Sequence, residues 1–377
     1  MPTVIYSPAY RAYSFGDEHP FSPVRVEMAL DLVGALGHSV ETLEPAPATR
    51  EELLGAHSEA YVRRVEEMSA GVPVSDAPAY GLGTQDTPAF RGMDEAARWL
   101  VGGTLHGARL ISEGTAKRVL QFGGGLHHAR RAFAAGFCIY NDVAIAIREL
   151  SARGLRTAYI DVDVHHGDGV QEILYEDPAV LTVSLHESGQ FLFPGSGEIR
   201  ELGAGAGRGL KLNVPLQPFT AGESYREVFD QVIPPALRHF RPDVFVVQAG
   251  ADAHFDDPLA DLMLTTGDYE FLFRKILEWA GEFAAGRVLF TLGGGYSLRA
   301  TPRVWAILYL VLHDLPVGPG IPEAWRRKWK GALGEDLPES FHDSGPGSID
   351  VANRYEIAHR NRQAAERLLD LARRYWA

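Results

Sequence analysis

The chain has 377 residues, 46% hydrophobic and 23% charged, with one cysteine and a formal net charge of −13. This is the composition of a globular protein that can bury a large α/β core. It excludes an intramolecular disulfide, a membrane-spanning apolar run and a basic stripe for direct binding of nucleic acid. An acidic surface instead favours cationic substrates, such as Lys-rich segments or polyamines. The lone Cys138, and the lack of a basic-then-apolar leader in Met1 to Tyr6, are expected of a cytoplasmic protein.

In chain order, Thr3 to Ser7 reads as a first strand and His19 to Pro23 as a loop. Pro23 stands near the start of a helix carrying Val26, Leu30, Leu32 and Val33. Thr49 is placed to cap a short helix with Glu51 and Glu52 in its first turn, and His57 to Met68 is a further helix. Ala70 to Phe90, rich in Gly, Pro and Asp, is too long for a simple turn, which marks it as functional or mobile. Asp94 to Ile111 is helical.

From there strands and helices alternate. Strands are predicted over Arg118 to Phe122, Tyr159 to Val164, Val180 to His186, Leu210 to Leu216, Asp243 to Gln248 and Arg287 to Leu292. Helices are predicted over Asn141 to Arg153, Asp168 to Tyr175, Ser224 to His239 (despite Pro234 and Pro235), Tyr269 to Ala285 and Val304 to Leu312. Tyr355 to Trp376 reads as an amphipathic helix that packs back on the body. The alternation predicts one domain over 1–377, with its core about 3–313 and a helical extension about 314–377. The fold class is α/β: three layers, α/β/α, around a mostly parallel sheet, with the site at the strands' carboxyl ends.

The chemistry centres on Tyr159 to Gly169. Ile160, Val162 and Val164 are apolar, and Asp161 and Asp163 alternate with them, so both carboxylates share one face of the strand. His165 follows on that face. Two acids and two histidines in so short a stretch could be a solvated loop, but these acids interrupt a β-branched run, and a buried carboxylate is costly unless paired or metal-bound. An Asp-x-His pair at a strand end offers an oxygen and an imidazole nitrogen to Zn²⁺ or a similar divalent ion, if a third ligand comes from elsewhere. Asp252, just past a strand end, is the best candidate, with Asp256 and Asp257 as rivals.

Four strands end in polar, Gly-rich turns, after Phe122, Val164, Gln248 and Leu292. A parallel sheet brings such turns to one edge. His127 and His128, after three glycines, are the candidate acid/base pair, and Asp161 and Asp168 could each hold one ring nitrogen. Tyr296 stands where a phenol could donate to a developing oxyanion. The combination describes metal-assisted hydrolysis of an amide.

At these residues the sequence resembles the histone deacetylase superfamily, on the arginase/deacetylase-like fold. The motifs are Gly123 to Ala129, Gly136 to Asp142, Asp161 to Gly169, Gly250-Ala251-Asp252 and Gly293 to Tyr296. Within the superfamily it is most similar to the bacterial acetoin-utilization deacetylases, the AcuC-like group, and Gly81 to Pro88 adds to that likeness. The resemblance implies Zn²⁺ on Asp163, His165 and Asp252, with Fe²⁺ as a possible competitor. It implies His128, paired with Asp168, as general base and then acid, and His127, paired with Asp161, as electrostatic support. Tyr296 would polarise the acetyl carbonyl. Phe137 and Phe193 would wall the acyl-lysine tunnel, Gly136 would lie against the substrate stem, Asp86 would grip the substrate backbone, and Arg25 would sit below the metal near the acetate exit.

A structural K⁺ is also implied, bound by Asp161, the Ser184 side chain and carbonyls of Asp163, His165 and Leu185. A second alkali site would use carbonyls around Leu174, Asp177 and Val180. Leu126, in place of the tryptophan of many eukaryotic relatives, and Ser297 set the chain apart from the eukaryotic enzymes. The expected substrate is ε-acetyl-lysine in proteins. The alternatives are a small acetylated amine, as in acetylpolyamine amidohydrolases, and a non-catalytic acetyl-lysine binding protein.

Overall fold

Among the described residues, alternating short apolar runs and amphipathic segments produce one sheet of eight parallel strands with helices on both faces. The computed structural model describes residues 1–343 and 352–376. The strands are β1 (Thr3–Ile5), β2 (Thr42–Leu43), β3 (Arg118–Gln121), β4 (Thr157–Asp161), β5 (Val180–Glu187), β6 (Lys211–Leu216), β7 (Val244–Gln248) and β8 (Val288–Thr291). Their order across the sheet is β2-β1-β3-β8-β7-β4-β5-β6. The strands β3, β8, β7 and β4, whose Gly-rich exits drew attention in the sequence, are therefore neighbours at the centre.

Both faces of the sheet are covered, as a parallel sheet requires. On β7, Phe245 and Val247 point into one core and Val244 and Val246 into the other. The first core is closed by α1 (Val24–Ala35), α7 (Gly222–Phe240), α8 (Thr266–Phe283) and α9 (Thr301–Leu312). The second is closed by α3 (Glu59–Ser69), α4 (Met93–Ser112) and α5 (Asp142–Ala152). The short helix α2 (Arg50–Leu54) starts at a capping box, with Thr49 and Glu52 each satisfying the other's backbone N–H. The two remaining helices of the described body are α6 (Asp168–Ile173) and α10 (Glu323–Leu333). The final helix α11 (Arg354–Ala372) packs on α7 and β6, as its apolar stripe predicted.

The structure departs from the sequence expectation at two strands. The strand expected to reach Val164 ends at Asp161, because the backbone beyond it is taken by side chains: Asp161 accepts from Asp163 N at 3.2 Å and Asp252 from Val164 N at 2.9 Å. Asp163 and His165 thus stand on a loop beyond the sheet edge. The edge strand β2 was not foreseen, since both its residues are exposed and carry no alternation. Within the helical extension expected over about 314–377, α10 buries Trp325 and Trp329 through indole N–H bonds to Met28 O and Asp31 Oδ2.

Candidate active site

The site begins with the turn after β3. Asp142, at the start of α5, accepts from Gly125 N at 2.9 Å and Leu126 N at 2.7 Å, with Thr104 donating to it at 2.5 Å. That carboxylate curls the glycine turn and delivers His127 and His128 to the sheet edge. Gly125 has φ +78 and so little space that a Cβ would lie 2.0 Å from Leu292 O, so only glycine fits there.

Each histidine is held by a carboxylate. His127 Nδ1 lies 2.8 Å from Asp161 Oδ2, and His128 Nδ1 lies 2.7 Å from Asp168 Oδ1. The two Nε2 atoms face each other at 3.0 Å, with room for one proton between them. Burial alone would depress His127, but Asp161 and Asp163 outweigh it and raise its pKa to about 9. Burial, and then the neighbouring His127 charge, pull His128 down to about 3. The pair therefore holds one imidazolium and one neutral ring. Asp168 is pulled down to about 2, because His128 and the two-pronged Arg130 contact, at 2.9 and 2.7 Å, overcome its burial.

Beside them Asp163, His165 and Asp252 converge, all buried, with ligand atoms within 4.8 Å of one another. Each carboxylate turns one oxygen toward the His165 ring. Asp163 Oδ2 accepts from Gln248 Nε2 at 2.7 Å and Gly294 N at 2.8 Å, while its Oδ1 lies 3.1 Å from His165 Nδ1. Asp252 Oδ1 accepts from Val164 N, while its Oδ2 also lies 3.1 Å from His165 Nδ1. Burial and the adjacent Asp163 push the Asp252 carboxyl above its ordinary range. Two buried carboxylates beside an imidazole form the oxygen/nitrogen donor set of a divalent metal, which would relieve their repulsion. The rivals are elsewhere: Asp256 accepts from Ser297 Oγ at 2.7 Å and Asp257 from Tyr296 N at 2.6 Å.

A cavity of about 290 Å³ opens onto these groups, lined by His127, His128, Gly136, His165 and Tyr296 among others. The Tyr296 ring is edge-on to Phe137 at 5.7 Å, and burial, then Asp252 and Asp163, raise its phenol well above the ordinary value. Phe193, 45% exposed, stands 5.0 Å from the His128 ring. A Cβ on Gly136 would lie 2.2 Å from His128 Cδ2. Asp86 reaches this wall from the long loop and accepts from Gly136 N at 2.6 Å. Cys138 is a buried thiol whose pKa is raised well above the ordinary value by burial; its Sγ lies 3.1 Å from Gly136 O.

Arg25 is 2% exposed and donates to Gly295 O at 2.6 Å, with its guanidinium 5.3 Å from the Tyr296 ring. It lines a second cavity of about 480 Å³ with Tyr10, Tyr13, Leu292 and Trp305. Asp161 sits in register with Ser184 on the neighbouring strand, and Leu185 O lies 3.5 Å from the Tyr225 hydroxyl. The carbonyls expected to hold a second alkali ion are occupied otherwise: the Lys211 ammonium donates to Val180 O and Asp177 O.

The sequence reading passed over Gln248, Asp142 and Arg130. Gln248 ends an apolar strand, and an uncharged polar residue there was the available signal. Asp142 lies inside a quoted motif, but nothing in the sequence shows that it reaches back to the glycine turn.

Residues 19–312 match the model of the histone deacetylase domain. The chain is 40% identical over 370 residues to the acetoin utilization protein AcuC of Bacillus subtilis, covering 97% of this chain and 96% of that protein. It is 36% identical to the AcuC of Staphylococcus xylosus, at 97% and 96% coverage. Among solved structures, a histone deacetylase homolog complexed with SAHA superposes with a TM-score of 0.86 at 26% identity, over 96% of this chain and 99% of that one. A homolog from Aquifex aeolicus gives 0.83 at 26% identity, with the same coverage. The sheet edge, the paired histidines and these likenesses lead to one conclusion: the chain belongs to the histone deacetylase family and is a hydrolase of the deacetylase type.

Proposed function

We propose that the protein hydrolyses the amide of ε-acetyl-lysine in proteins, releasing lysine and acetate. The observation that carries this reading is the pair of His–Asp couples beside the buried Asp163, His165 and Asp252 cluster, with His127 Nε2 only 3.8 Å from Asp163 Oδ1. Those three residues would hold Zn²⁺, with Fe²⁺ a competitor at such an oxygen/nitrogen site. When bound, the metal supplies Lewis acidity toward the amide carbonyl and lowers the pKa of water. His128 is neutral, the form a base needs. The attacking water replaces His127 as partner of its Nε2, gives up a proton there, and the same nitrogen returns a proton to the departing amine. Asp168 holds His128 in the required tautomer. His127 remains an imidazolium on Asp161 and offsets the negative charge that develops.

Tyr296 stays a phenol at neutral pH and donates to the oxyanion. Phe137 and Phe193 enclose the lysine stem, and Gly136 leaves it room. Asp86 braces that wall through Gly136 N and would grip the substrate backbone. The Arg25 cavity receives acetate. Asp161 and Ser184, opposite each other on neighbouring strands, would hold a structural K⁺ with the Leu185 carbonyl.

The test is acetate release from an acetyl-lysine peptide and an acetylated polyamine, with and without chelator. The expected result is chelator-sensitive turnover favouring the peptide. Tyr296→Phe should lower kcat by about 10²-fold or more with metal content unchanged, as for loss of one oxyanion donor. Preference for the polyamine would overturn the substrate assignment, and full activity in Tyr296→Phe would overturn the role of the phenol.

A further inference from the structure

Lys211 is the first residue of β6, and its side chain is fully buried. A buried ammonium normally needs an anion beside it. Among the described residues no carboxylate lies within ion-pair distance of Lys211, and the nearby Asp177 carboxylate is spent on Ala179 N at 2.8 Å. The ammonium instead donates to two backbone carbonyls, Val180 O at 2.5 Å and Asp177 O at 3.3 Å. Asp177 lies in the connection from α6 to β5, and Val180 is the first residue of β5. The stem is packed in place as well: a Cβ on Gly203, at φ +91, would lie 3.1 Å from Lys211 Cγ. Burial draws the ammonium's pKa down to about 7, opposed by Asp177, so holding a charge here has a cost.

An ammonium and K⁺ are similar in size and carry the same charge, and both are stabilised by a shell of carbonyl oxygens. We propose that Lys211 is a tethered monovalent cation, filling the carbonyl cage of Asp177 and Val180 so that the chain takes no alkali ion there. The second alkali site expected from the family resemblance is thus replaced by a side chain. The segment from α6 to β5 then keeps its shape without potassium, and any potassium dependence arises at the separate Asp161 and Ser184 position.

Two measurements test this. Crystals of the wild-type protein soaked in Tl⁺ should show no anomalous density beside Asp177 O and Val180 O; density there would overturn the proposal. In equilibrium dialysis with Rb⁺, Lys211→Ala should bind one ion more per chain than wild type, and KCl should raise its Tm more than choline chloride does. Equal Rb⁺ binding by the two proteins, with the variant folded by circular dichroism, would also overturn it. If the variant does not fold, the Tl⁺ experiment decides alone. Missing density at Asp161 and Ser184 would remove the potassium reading proposed there and leave the conclusion on Lys211 intact.

Discussion

Asp168 can hold the His128 Nδ1–H only while it is a carboxylate, and burial works against that. Arg130 is the partner that supplies the compensating charge, at 2.7 and 2.9 Å, although its own side chain is 40% exposed. Arg130→Gln removes the charge and keeps part of the hydrogen bonding. The Asp168 pKa then rises, so the acidic limb of kcat/KM should move to higher pH, with a fall of roughly tenfold at neutral pH, as expected for partial loss of acid/base catalysis. An unchanged acidic limb in a pH–rate profile would refute the role. Arg130 follows the tandem histidines in the sequence, but its partner stands 38 residues away, a pairing that only the fold displays.

At the scale of elements, the loops between α2 and α5 are pinned by one buried imidazole. His57 Nδ1 lies 3.0 Å from Arg130 O, and Nε2 accepts from Asn141 N at 2.9 Å, joining the approach to α3, the strand exit and the cap of α5. Burial lowers its pKa from 6.5 to about 4. The unfolded chain therefore takes up a proton below pH 6.5 that the folded chain refuses until about pH 4. Its contribution is complete above pH 6.5 and is lost as the pH falls toward 4, by roughly 3 kcal/mol in all. Urea unfolding of wild type and His57→Gln at pH 7 and pH 4.5 checks this. The gap between the two pH values should shrink in the variant by on the order of 2 kcal/mol; an equal gap would show that His57 is not the titrating group. The expected helix beginning at His57 instead begins at Glu59, capped by Ser58, because the imidazole is engaged sideways.

At the scale of the molecule, the central sheet and its two cores support a site built from segments far apart in sequence, and α11 covers the edge strand β6. Asn361 is the anchor: buried, it donates to Thr220 Oγ1 at 2.8 Å and Ser224 Oγ at 3.0 Å, and accepts from Gln217 N at 2.9 Å. Asn361→Ala strands these groups, and a loss of about 1–3 kcal/mol in urea unfolding is expected. Faster proteolytic release of the α11 segment should accompany it, with kcat on the peptide unchanged. Stability equal to wild type would mean that the apolar stripe alone holds the helix. The extension expected over 314–377 includes residues 344–351 and 377, which lie outside the described residues.

The alternation of strand and helix, the four Gly-rich exits and the candidate ligands are legible along the chain, because periodicity, turn residues and carboxylate–imidazole spacing are local properties. The candidate ligands Asp163, His165 and Asp252 come together in the structure, since in a parallel sheet the strands' carboxyl ends meet at one edge. Which buried polar groups satisfy one another emerges only in the folded molecule. Gln248 steadies Asp163, Asp142 curls the glycine turn and Asp257 receives the Tyr296 N–H. Lys211 sits where an ion was expected. Each of these is a hydrogen bond between distant segments, and its partner is chosen by distance and burial after the sheet has formed, with no periodic trace along the chain.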